Sequence, residues 1–189
     1  MSRIPLLRPE DMTPEQRRVY DIVTGTRKAD GRRARGAPYQ LTLHWPEFTE
    51  KWHETGVTLR HHGTLPPGLA ELAILVTVRH WDCHYAWHTH SAAALTKGLP
   101  ASLIDAIKAG QRPAFVEAVE EAVYDYCREL HEKHCVSDAA YQRVLDRLGV
   151  AGVVELTALI GYYTMVAMTL NAHAYPAPGD VSLPLPATG

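Results

Sequence analysis

The sequence is short of cysteine, of long apolar runs and of net charge, and each shortage removes a class of protein. Three cysteines among 189 residues, at positions 83, 127 and 135, are too few and too unevenly spaced for a disulfide framework. Cys127 and Cys135 fall eight residues apart on one expected helix, too far along its axis to bond to each other. The thiols therefore fit a reducing cytosol, and a cytoplasmic location is expected. No apolar run reaches the ~20 residues that span a bilayer. The longest, near Leu156 to Leu170, is interrupted by Gly161, Tyr162 and Tyr163 and reads as a buried helix. The first residues, MSRIPLLRPEDM, lack the apolar core of a signal peptide. Nineteen Lys and Arg against 21 Asp and Glu give a formal charge of −2. That balance argues against a protein built to grip nucleic-acid phosphates. The basic stretch from Arg27 to Gly36 reads as a surface loop.

What the chain has is periodicity. Hydrophobic residues make up 46%, enough for one domain with a real core. Apolar positions recur at helical spacing and no segment alternates as a strand does, so the fold class is all-α, a single-domain helical bundle. Residues 1–12, with Pro5 and Pro9, read as an extended arm. The domain is expected over 13–175, and residues 176–189 form a proline-rich extended tail. Thr13, Pro14 and Gln16 make a helix start with a capping box, and that helix ends near Gly25. A second helix is expected from about Pro46 to Gly63. Pro66-Pro67 opens a central helix that ends near His80-Trp81, with Leu69, Leu72, Ala73, Leu75, Val76 and Val78 inward. Asp82 is the expected N-cap of the next helix, which Gly98 closes. Further helices are expected from Leu99 to Gly110, from Pro113 to about His134, from Ser137-Asp138 to Leu148 with Gly149 as its stop, and from Val153 to Ala172.

The chemistry concentrates in ELAILVTVRHWDCHYAWHTHSAAALTKGL, Glu71 to Leu99. It places a carboxylate, a thiol and an imidazole at Glu71, Cys83 and His90 on two successive helices expected to pack as an antiparallel pair. Steps of 100° put Cys83, Trp87, His90 and Ala94 on one face, with Ala86 and Ala93 beside them. His84, His88 and Ser91 form a separate polar stripe. Cys83 in the first turn would meet the helix dipole, which favours thiolate. Each residue alone has a plain structural reading: Cys83 as a small core hydrophobe, His90 as a hydrogen-bonded core histidine, Glu71 as a surface residue near a helix start. His84 and His88 have the i, i+4 spacing of metal ligands, but no carboxylate sits beside them and His80 lies beyond the helix break. They read as solvent-facing, and neither a metal nor a cofactor is expected.

Glu71, Cys83 and His90, followed by Ala92 to Ala94 and Gly98-Leu99, resemble the carboxymuconolactone decarboxylase and alkylhydroperoxidase-D-like (AhpD-like) superfamily. The resemblance is strongest over residues 65–110 and extends through VSDAAYQRVLDRLG and the Tyr162-Tyr163 segment. Peroxidase members carry Cys-x-x-Cys with a histidine four residues on and an upstream glutamate. Ala86 stands where the second, peroxide-attacking cysteine would be, so dithiol turnover by this motif is absent. The Cys83-to-Trp87 segment looks most like the decarboxylase-type branch, whose Tyr-Glu-Trp glutamate Ala86 also replaces. The resemblance implies a small carboxylated lactone of aromatic catabolism as substrate. It implies His90 as acid/base, Glu71 as its relay partner, Cys83 as a pocket wall or weak nucleophile, and Tyr85 and Trp87 shaping the pocket. Arg79 is the cation nearest in sequence to hold a substrate carboxylate. The resemblance also implies a homo-oligomer, a trimer or hexamer; the charge balance and the short apolar runs lead us to expect no nucleic-acid or membrane partner. Two alternatives stand beside this reading: a thiol-dependent peroxidase-like or redox protein using Cys83 with an external thiol, and a non-catalytic oligomeric structural or binding module.

Overall fold

The structure is a computed structural model that describes residues 2–25, 38–177 and 185. The basic 27–36 stretch and most of the tail lie outside the described residues. The described residues form eight α-helices and no strand. In order these are α1 (Pro14–Gly25), α2 (Tyr39–Thr42), α3 (Pro46–His61), α4 (Pro67–His80), α5 (His84–Thr96), α6 (Ala101–Lys108), α7 (Ala118–Lys133) and α8 (Asp138–Ala172).

They fall into two compact units. The first contains the described residues up to His62 together with Thr169–Tyr175. Its α1 begins on the capping box that the sequence predicts: Thr13 Oγ1 accepts from the Gln16 N–H at 3.2 Å, and the Thr13 N–H donates to Gln16 Oε1 at 3.0 Å. The arm is less extended than expected, because Pro9–Asp11 makes a turn of 3₁₀ helix. The arm is also tied down. The Arg3 N–H donates to the His173 carbonyl at 2.8 Å, and the Arg3 guanidinium reaches the Ala172 carbonyl at 3.1 Å. These contacts satisfy carbonyls that the end of α8 leaves open.

The second unit contains Gly63–Met168 and carries the Glu71–Leu99 motif. Its centre is α4, which buries Leu69 and every residue from Glu71 to Val78. A helix apolar on nearly all sides belongs in a core, and α5, α6 and α7 all pack on it. Glu155 of α8 fastens the approach to α4. Its carboxylate accepts from the Thr64 N–H at 2.5 Å, the Thr64 hydroxyl at 2.8 Å and the Leu65 N–H at 3.1 Å. A Cβ at Gly63 would lie 1.9 Å from Glu155 Oε1, so a larger residue there would make this carboxylate shift. His131 of α7 adds a tie to α4, with Nε2 3.0 Å from the Thr77 hydroxyl. That hydroxyl already donates to the Ala73 carbonyl at 2.8 Å, so His131 is the donor.

Three boundaries differ from the sequence reading. The motif helix is capped by Cys83 rather than Asp82, because Asp82 takes a positive φ of 44° and its carboxylate pairs with Arg79. Pro113 does not open a helix; residues 113–117 are irregular and α7 starts at Ala118. The last two expected helices form one element broken at Gly149, whose φ of 68° and ψ of −179° are open to glycine. The predicted stop is therefore present as a kink.

Candidate active site

A three-residue turn, Trp81 to Cys83, reverses the chain between α4 and α5. The Cys83 N–H closes it by donating to the Val78 carbonyl at 2.8 Å. The start of α4 then lies beside the end of α5: a Cβ on Gly68 would sit 3.0 Å from the Leu99 side chain and 3.3 Å from the Lys97 carbonyl. This antiparallel hairpin brings Glu71, in the second turn of α4, level with the C-terminal half of α5.

Glu71 is 3% exposed. A carboxylate so placed must find protein partners in place of water. It has two. His90 Nδ1 lies 2.8 Å from Oε2, and Lys97 Nζ lies 2.6 Å from Oε1. Burial alone pushes the Glu71 carboxyl up; the hydrogen bonds and charges of His90 and Lys97 outweigh it and hold the group below its ordinary value of 4.5. Glu71 is therefore an anion at neutral pH.

An anionic carboxylate only accepts, so Nδ1 of His90 is the donor and carries the proton. Among the described residues Nε2 has no hydrogen-bond partner. The Tyr163 ring of α8 meets the imidazole edge to face, with centroids 4.9 Å apart and planes at 87°. Glu71 fixes the tautomer and Tyr163 fixes the ring plane, which leaves Nε2 as the nitrogen that no described residue engages.

Cys83 lies at the N-cap of α5, and its sulfur is fully buried. The expectation of a dipole-favoured thiolate is reversed here. Burial pushes the thiol up to about 11, and the Ala86 N–H directed at the sulfur offsets only part of this. At neutral pH Cys83 is a thiol, and no hydrogen bond joins it to Glu71 or His90. The thiols of Cys127, buried in α7, and Cys135, exposed beyond it, are also free.

The other named residues divide in the same way. Trp87 is 2% exposed and belongs to the core, while Tyr85 is half-buried. Arg79 is occupied: its Nε donates to the Lys108 carbonyl at 3.0 Å and its guanidinium pairs with Asp82. The cation beside Glu71 is Lys97. The sequence offers one signal for it, the seven-residue step from His90, which returns to the same helix face after two turns. His88 is exposed and His84 half-buried, and no group of three metal-ligating side chains forms among the described residues.

Solved structures share this arrangement of helices. One is an uncharacterized peroxidase-related protein from Ralstonia eutropha JMP134, described as an alkylhydroperoxidase AhpD core. It matches with a TM-score of 0.73 at 16% identity, over 95% of this chain and 93% of that one. Our chain has the AhpD core fold. A protein of unknown function from Agrobacterium tumefaciens, assigned to AhpD antioxidant defence, matches with a TM-score of 0.61 at 13% identity, over 74% of this chain and 96% of that one. These neighbours have the helical fold that the sequence resemblance implies. No family model and no curated protein matches the chain.

Proposed function

We propose that this AhpD-like protein is an acid/base enzyme of the carboxymuconolactone decarboxylase type, acting on a small carboxylated lactone or a related intermediate of aromatic catabolism. The observation that carries the reading is the 2.8 Å bond between buried Glu71 and His90 Nδ1. Loss of carbon dioxide breaks a carbon–carbon bond and leaves its electron pair on the substrate, delocalised toward a carbonyl. A proton must then reach that carbon. Protonated His90 supplies it from Nε2 and returns to neutral imidazole; bulk water reloads it. Glu71 stabilises the imidazolium between those steps and keeps the ring from turning. Cys83 takes no part.

The peroxidase-related description of the Ralstonia neighbour favours a second reading, a thiol peroxidase working through Cys83 and an external thiol. Full burial and a pKa near 11 count against it. One pair of assays separates the two. Carbon dioxide release is followed over a panel of carboxylated lactones, and peroxide consumption is followed with a dithiol reductant. Acid/base chemistry predicts saturable gas release from at least one lactone and peroxide loss no faster than without protein. Thiol-dependent peroxide turnover with no gas release overturns it.

A further inference from the structure

We infer that Lys97 is an anion-binding residue that takes the carboxylate, or a like small oxyanion, of the molecule on which His90 acts; this rests on the acid/base reading above. Three observations lead there. The first is the gradient of exposure across the site. The side chain of Glu71 is 4% exposed, that of His90 15% and that of Lys97 40%. Lys97 is thus the member that meets an arriving solute first. The second is unused bonding capacity. An ammonium has three donors, and Lys97 spends one on Glu71 Oε1 with no other partner among the described residues.

The third is charge. Glu71 and Lys97 cancel when His90 is neutral. Once His90 is protonated and ready to donate, the trio carries one net positive charge, which one small anion neutralises. Arg79 cannot serve, being bonded to Asp82 and to the Lys108 carbonyl. Lys97 and His90 bond to the two oxygens of a single carboxylate, which sets the ammonium and the imidazole side by side. An incoming carboxylate also competes with Glu71 for the ammonium. Removing the charge of Glu71 should therefore strengthen anion binding.

The test uses the full chain and needs no turnover. Acetate and its neutral isostere acetamide are titrated in, and the His90 ring resonances are followed by NMR. Acetate should shift them saturably and bind about tenfold tighter than acetamide or more. Lys97→Met should weaken acetate by about tenfold, and Lys97→Arg should stay within about threefold of the wild type. Glu71→Gln should bind acetate more tightly. Equal acetate affinity in Lys97→Met, or acetamide binding as well as acetate, overturns the assignment. If Lys97→Met fails to fold, Glu71→Gln decides: unchanged or weaker acetate binding refutes the anchor. Loss of the acid/base reading would appear instead in the gas-release assay and leave the acetate result standing.

Discussion

His90→Ala lowers kcat on the lactone that the panel identifies by about 10²–10⁴-fold, the range spanned by a positioned acid/base group, whereas Cys83→Ser stays within about threefold of the wild type because serine is a favoured helix cap. The asymmetry follows from the geometry. His90 has one nitrogen bonded to a buried carboxylate and the other without a partner among the described residues. Cys83 has a sealed, protonated sulfur at the head of α5. Serine keeps its size, and its oxygen can accept the Ala86 N–H that now points at sulfur. Thermal melts of both variants establish that they fold. The reverse ranking, with Cys83→Ser inactive and His90→Ala active, would transfer the chemistry to the thiol.

Glu71→Ala destabilises the fold by about 1–3 kcal/mol at pH 7, the usual cost of leaving a buried donor without its acceptor, since Lys97 is 40% exposed and regains water. Two donors lose their acceptor at once, and the side chain leaves a void against α5. Urea unfolding reads the difference directly. Its pH dependence has a fixed sign. The folded-state pKa of Glu71 lies below 4.5, so the unfolded chain takes up the proton first as pH falls. The stabilisation is complete above about pH 4.5 and drains away as pH drops through the folded value. The gap between wild type and Glu71→Ala should therefore narrow below that pH. A gap that widens in acid, or a Glu71→Ala variant as stable as the wild type, contradicts the ion-pair geometry.

Much of this molecule is written locally in its sequence. Thr13 and Gln16 announce α1 because a capping box is made by residues three apart. Gly149 marks its break because its dihedrals are open to glycine and little else. The two-helix hairpin makes Glu71, Cys83 and His90 plausible neighbours, and it is the family resemblance that singles out Glu71 and His90 as partners. Other features depend on what the chain meets after it folds. The turn places Asp82 at positive φ and gives its carboxylate to Arg79, so the cap passes to Cys83. Arg79, on the same helix as Glu71, is drawn away by the Lys108 carbonyl from α6. Lys97 comes instead from the far end of α5, across 26 residues from Glu71, on a side chain long enough to reach back. Of the two readings that the sequence offers for Cys83, a dipole-favoured thiolate and a small core hydrophobe, the structure has the second. Helix position is visible in sequence and favours thiolate, while burial is a tertiary property and wins.

The central claim is that Glu71 holds the proton of His90 on Nδ1 and leaves Nε2 to do the chemistry. Long-range nitrogen–proton NMR correlations of the His90 ring near neutral pH test it most directly, because the two nitrogens resonate apart when only one is protonated. The geometry predicts the proton on Nδ1 and a bare Nε2 in the neutral ring. A neutral ring with its proton on Nε2 and a bare Nδ1 facing Glu71 would contradict it.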